Sequence, residues 1–122
     1  MTIQVDVQKA CDDDTAPDTT IIASWVVRAV EASGTTGVSE VAVRIVAAEE
    51  IQALNKQYRS KDKPTNVLSF PGGKVSGLPA DIPVVLGDIV ICASVVRDEA
   101  AAQRKALEDH WAHMLVHGTL HL

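Results

Sequence analysis

The sequence predicts an α+β fold: a single domain in which one four-stranded mixed sheet packs with helices, the last helix carrying a histidine motif. Three observations predict it. The chain has 122 residues, a size for one domain with a real core. Strand-like and helix-like segments follow one another in the order β-α-β-α-β-β-α-α. No internal repeat, low-complexity segment or linker divides residues 1–122.

Each element has its own warrant. Residues 3–8 (IQVDVQ) alternate apolar and polar, as a half-buried strand does. CDDDTAPD is a polar break. Thr19 or Thr20 is placed to cap a helix whose apolar stripe is Ile21, Ile22, Trp25, Val26, Ala29 and Val30. SGTTG ends it. Residues 38–46 are β-branched and alternate Val41, Val43 and Ile45 against Ala42 and Arg44, a second strand. Glu49 and Glu50 open a short helix, where negative charge is favourable, with Ile51, Leu54 and Tyr58 expected inside. NVLSF (66–70) reads as a third strand, and GGKVSGLPADIP (72–83) as a loop. LGDIVI (86–91) is apolar enough to be a central strand. Residues 94–103 are Ala-rich and helical, and a last helix runs from about Lys105 to the end.

Composition limits the function. The only aromatics are Trp25, Tyr58, Phe70 and Trp111, so the core is expected to be Val, Ile, Leu and Ala. A net charge of -5 argues against coating nucleic acid by bulk attraction, but leaves room for a locally basic site. The acidic start MTIQVDVQKACDDD has no long apolar run, and no stretch approaches the roughly 20 residues of a membrane span. Neither a signal peptide nor a membrane association is therefore expected. Cys11 and Cys92 stand far apart with no CxxC pair, which fits a reduced, cytoplasmic protein.

Two stretches carry chemistry. The first is HMLVHGTLHL (113–122). At about 100° per residue, His113, His117 and His121 fall within an arc of roughly 80°. The rest of the helix is mostly apolar, so a buried helix with a histidine stripe is expected. Imidazoles at i and i+4 can both reach one divalent ion such as zinc. The competing reading is that each histidine simply bonds to neighbours or meets water. His110 is expected on the same side but nearer solvent, and not as a ligand. A zinc peptidase of the HExxH type is unlikely, because HGTLH has Gly118 where that chemistry needs a glutamate base. The glycine is expected to leave room for a substrate backbone.

The second stretch is KQYRSKDKPTNVLSFPGG (56–73). Lys56, Arg59, Lys61 and Lys63 place four positive charges within eight residues. A guanidinium fork binds two phosphate oxygens at once, so Arg59 is a candidate phosphate clamp. The plainer reading is a solvated helix end, where cations are favourable. Asn66 is placed to pin the turn. Asp88 is a weaker candidate for a supporting role, and loop 72–83 for lining a substrate groove.

NKQYRSKDKPTNVLSFP, followed by LGDIVI and HGTLHL, resembles the YbeY family of bacterial single-strand-specific metallo-endoribonucleases over about residues 49–122. The resemblance implies a zincin-like fold and cleavage of single-stranded RNA in 16S ribosomal RNA 3′-end maturation and ribosome quality control. It implies ribosomal RNA and the ribosome or its proteins as partners. It implies His117 and His121 as ligands of a divalent metal, usually taken as zinc, and Arg59 as the catalytic arginine. Lys61 and His113 fall to the substrate side of the site. The family motif HGxLHLxGYDH places a third histidine six residues after His121, and this sequence ends at Leu122. The expectation is a C-terminally shortened metal-hydrolase domain that holds its metal weakly, with a catalytically silent ribosome-binding protein as the alternative. A different metallohydrolase, acting on another phosphate ester or amide, is a third reading.

Overall fold

A computed structural model describes residues 2–35, 37–72 and 82–122. The element order is β1 (Thr2–Lys9), α1 (Thr19–Ala32), β2 (Val38–Val46), α2 (Ala48–Arg59), β3 (Val67–Pro71), β4 (Val84–Cys92), α3 (Ala93–Ala102) and α4 (Leu107–Leu120). This is the expected order, with ends shifted by a residue or two. The strands form one mixed sheet in the order β1-β2-β4-β3. β1 and β4 both run parallel to β2, whereas β3 is antiparallel to β4. β4 is thus interior, as its apolar run predicts, and β3 is an edge strand. The groove-lining role expected of loop 72–83 falls largely on residues 73–81, outside the described residues.

Strand alternation divides the core between the two faces of the sheet. On one face Val41, Val43, Ile45, Ile89 and Ile91 meet Ile22, Val26 and Val30 of α1 and Trp111, Met114 and Leu115 of α4. Trp111 is fully buried and anchors α4 to the sheet. Truncating a buried tryptophan costs about 3–5 kcal/mol. On the other face Val46, Leu68, Val90 and Cys92 gather under Ile51 of α2. Cys11 and Cys92 are both free.

Three local expectations are corrected. The α1 cap is Asp18, whose carboxylate accepts the Thr20 N–H at 3.0 Å, because the helix begins at Thr19 itself. Ile21 is exposed, since α1 turns only Ile22, Val26, Ala29 and Val30 fully inward. Tyr58 is 54% exposed, and Asn55 is buried instead. The Asn55 amide donates to the Lys63 carbonyl at 2.9 Å, tying the basic loop back to α2.

Candidate active site at the edge of β3

The four histidines of α4 have different surroundings. His110 is 2% exposed, the reverse of the expectation that it lies nearer solvent. Its turn of α4 packs on α3, and its Nε2 is 3.0 Å from Oε1 of Glu99. The Asn66 amide donates to both oxygens of that carboxylate at 3.2 Å. The Asn66 Oδ1 accepts the Val67 N–H at 2.7 Å, so Asn66 does pin the entry to β3. His110, Glu99 and Asn66 therefore lock α4, α3 and β3 together. Sequence pattern does not single out Glu99 and sets His110 near solvent, because their pairing spans two helices.

His113, His117 and His121 are exposed, so the histidine stripe lies on the solvent side of a helix whose opposite side is buried. The His117 and His121 rings stand 4.3 Å apart between centroids, tilted by 56°. They open onto a cavity of about 260 Å³ whose other walls are Arg59, Val67, Leu68, Ser69 and Pro71. His113 does not line this cavity; its ring packs edge-on to His110 at 6.1 Å. Lys61 is exposed and also lies outside the lining. The structure thus brings Arg59, His117 and His121 together and leaves Lys61 and His113 beside the site.

Arg59 comes from the opposite face of the sheet. It ends α2, and its guanidinium reaches across the edge strand to donate to the Ser69 carbonyl at 3.0 Å. A longer bond goes to the Tyr58 carbonyl at 3.3 Å, and the guanidinium carbon sits 5.5 Å from the Phe70 ring centre. Among the described residues no carboxylate pairs with Arg59. Carbonyls orient its charge without neutralising it, which leaves an anion-binding fork facing the imidazoles.

Gly118, between the two histidines, is buried rather than open to substrate. A Cβ there would stand 3.2 Å from the methyls of both Val67 and Ile89. The glycine lets α4 press onto β3 and β4, so the expected room for a substrate backbone is filled by the sheet. Asp88 is exposed on the other face, where it lines a larger cavity of about 480 Å³ with Arg44, Glu50 and Tyr58. It does not face the histidines.

The donor set fits a divalent metal only in part. Two imidazoles one turn apart share an open cavity, but among the described residues no group of three His, Cys, Asp or Glu side chains is close enough to hold an ion. Catalytic zinc usually has three protein ligands.

An anion fork opposite two imidazoles, mounted on an α+β domain, has the polar groups of a hydrolase site for phosphate esters. The comparisons with known proteins agree with that class. The family model described as "Endoribonuclease YbeY" matches residues 6–122. The Endoribonuclease YbeY of Alcanivorax borkumensis is 52% identical over 119 residues, covering 97% of this chain and 67% of that protein. The Halorhodospira halophila protein of the same name is 54% identical over 107 residues, covering 88% and 68%. That of Chromohalobacter salexigens is 48% identical over 124 residues, covering 100% and 79%. A Thermotoga maritima protein solved in solution superimposes with a TM-score of 0.58 at 25% identity, covering 99% of this chain and 71% of that one. The chain belongs to the YbeY endoribonuclease family.

Proposed function

We propose that this chain hydrolyses phosphodiester bonds in single-stranded RNA, with a divalent metal, zinc first among the choices, held by His117 and His121. The observation that carries the reading is the meeting of Arg59, unpaired with any carboxylate among the described residues, with the two imidazoles in one cavity. His117 and His121 would hold the ion, which would supply Lewis acidity at their end of the cavity. The chain's own residues do the rest. Arg59 binds the scissile phosphate through its free N–H groups and stabilises the charge that grows on it in the transition state. Phe70, under the guanidinium, limits where that fork can point. Lys61 and His113, just outside the cavity, guide the flanking strand. A locally basic strip suits a flexible single strand better than a duplex.

In this proposal the substrate in the cell is ribosomal RNA, at the 3′-end of 16S rRNA, and the enzyme serves maturation and ribosome quality control. The net charge of -5 means weak attraction to free RNA, so the ribosome or its proteins bring enzyme and substrate together in the cytoplasm. A second reading is favoured by the two-ligand donor set: a ribosome-associated binding protein that does not cleave.

The deciding experiment is cleavage of a labelled single-stranded RNA by the 122-residue chain, with chelator and zinc add-back, beside His117→Ala. Metal-dependent cleavage that disappears in the variant supports the hydrolase. No cleavage, with ribosome co-sedimentation that survives chelator, supports the binding protein. Equal hydrolysis of small phosphodiesters and RNA would move the assignment to a general phosphodiesterase.

A further inference from the structure

The two halves of the site arrive from opposite faces of the sheet. Arg59 belongs to α2, and His117 and His121 to α4, which packs on the other face. Something must hold them in register across β3. Among the described residues, Ser69 is the one that bonds both to Arg59 and to the turn between the two histidines. Its carbonyl, on the open edge of β3, accepts the Arg59 Nη2 at 3.0 Å. Its hydroxyl, on the α4 side, donates to the Gly118 carbonyl at 2.7 Å.

Among the described residues no backbone N–H competes for the Gly118 carbonyl. Carbonyls in the last turn of a helix lack intrahelical partners. Here the His121 N–H goes to His117 at 3.3 Å and the Leu122 N–H to Thr119 at 3.1 Å. The carbonyl between them is left to Ser69. The glycine makes the contact possible: a Cβ on residue 118 would already stand 3.4 Å from the Ser69 Oγ and 3.2 Å from Val67 and Ile89. Without that Cβ, the turn bearing both imidazoles lies close enough for one hydroxyl to reach.

We propose that Ser69 is the positioning residue of this site, coupling the Arg59 guanidinium to the His117–His121 turn across the edge strand. Its hydroxyl is committed to the Gly118 carbonyl, so it acts through the residues it holds. It sets the separation of the phosphate fork from the imidazoles, so its loss lowers turnover more than binding. The kinetic part of this rests on the RNA-hydrolase reading; the geometric part does not.

The test compares Ser69→Ala, Ser69→Thr and Ser69→Val. Threonine and valine have nearly the same volume and both suit a strand, so their difference reads the hydroxyl alone. Two readouts are taken on the intact chain. NMR follows the Arg59 Nε–H and the His117 and His121 rings without metal or RNA. Kinetics on a single-stranded RNA separates kcat from KM. In Ser69→Ala and Ser69→Val, the Arg59 and histidine resonances are expected to shift or broaden together. kcat is expected to fall about tenfold, with KM within about twofold, the scale of one lost hydrogen bond acting in the transition state. Ser69→Thr restores both. If threonine and valine behave alike, or the Arg59 and histidine resonances stay at their wild-type positions in all three variants, the proposal is overturned. Should the wild-type chain fail to cleave RNA, the functional reading falls, and the NMR comparison still decides the role of Ser69.

Discussion

The two ends of α4 carry the same kind of residue to opposite purposes. At the N-terminal end His110 is buried and bound to Glu99, inside a network that joins two helices and a strand. At the C-terminal end His117 and His121 are exposed, face a cavity and stand opposite an arginine that has no carboxylate partner among the described residues. An imidazole that is itself buried and whose nitrogen is held by a half-buried carboxylate is a structural strut. An imidazole with free nitrogens beside a cavity is available to a metal or a proton. The helix is one rigid element, so the strut at one end steadies the site at the other. This difference in surroundings, and not the shared residue type, assigns the roles.

The comparison can be broken most sharply at the exposed end. His117→Ala is expected to lower RNA cleavage by at least about a hundredfold, and Arg59→Glu by a similar factor, since in the proposed reaction each removes a group acting directly on the transition state. Both side chains are exposed, so stability should change by no more than about 0.5 kcal/mol, read by thermal or urea denaturation. Preserved turnover in either variant would remove the site from the cavity that Arg59 and the histidines share.

The buried end should respond in the opposite sense. His110→Ala opens space in the α3–α4 contact and strips Glu99 of one partner. The expected cost is about 2–3 kcal/mol of unfolding free energy, with cleavage per folded molecule within a few-fold of wild type. A His110 variant that loses all activity yet stays fully stable would reverse the roles of the two ends.

Gly118→Ala sharpens the link between them. The added methyl must push against Val67 and Ile89, at a cost of about 1–2 kcal/mol. Turnover should drop beyond what stability explains, because relieving the 3.2 Å contacts with Val67 and Ile89 moves the α4 turn away from β3 and from the Ser69 hydroxyl. A stable variant with normal kcat would show that the helix turn need not sit so close to the sheet.

The smallest effect is expected on the far face, away from both ends. Glu50 accepts from Arg44 at 2.5 and 3.0 Å, and that hydrogen bonding holds its carboxyl below the usual value of 4.5. A carboxyl whose folded pKa is depressed stabilises the fold above its unfolded pKa, and loses that contribution as pH falls through the folded one. Glu50→Gln should therefore lower the melting temperature slightly at neutral pH, and the gap should close on acidification below about pH 4.5. A gap that persists in acid would mean that packing, and not the ion pair, is what the substitution disturbs.

Local pattern was enough for much of this. Alternation in IQVDVQ and in residues 38–46 marked two strands, and the mostly apolar LGDIVI, broken only by Asp88, marked the interior one. The four-residue spacing placed His117 and His121 together, and the basic stretch singled out Arg59. Periodicity states which residues share a helix face, but not which face meets the sheet. For that reason His110 was expected near solvent and is buried, and Tyr58 was expected inside where Asn55 is. Gly118 shows the same limit: an absent side chain reads equally as room for a ligand or as room for a neighbouring strand.

What the sequence determined by itself is the order of elements, the residue types of the site and the family resemblance, because these follow from chain-local spacing. Only the tertiary structure decided that β3 lies at the edge of the sheet, so that Arg59 can reach over it from one face while α4 brings its imidazoles from the other. That meeting depends on strand order and on the close approach allowed at Gly118, both set by packing between segments far apart in the chain.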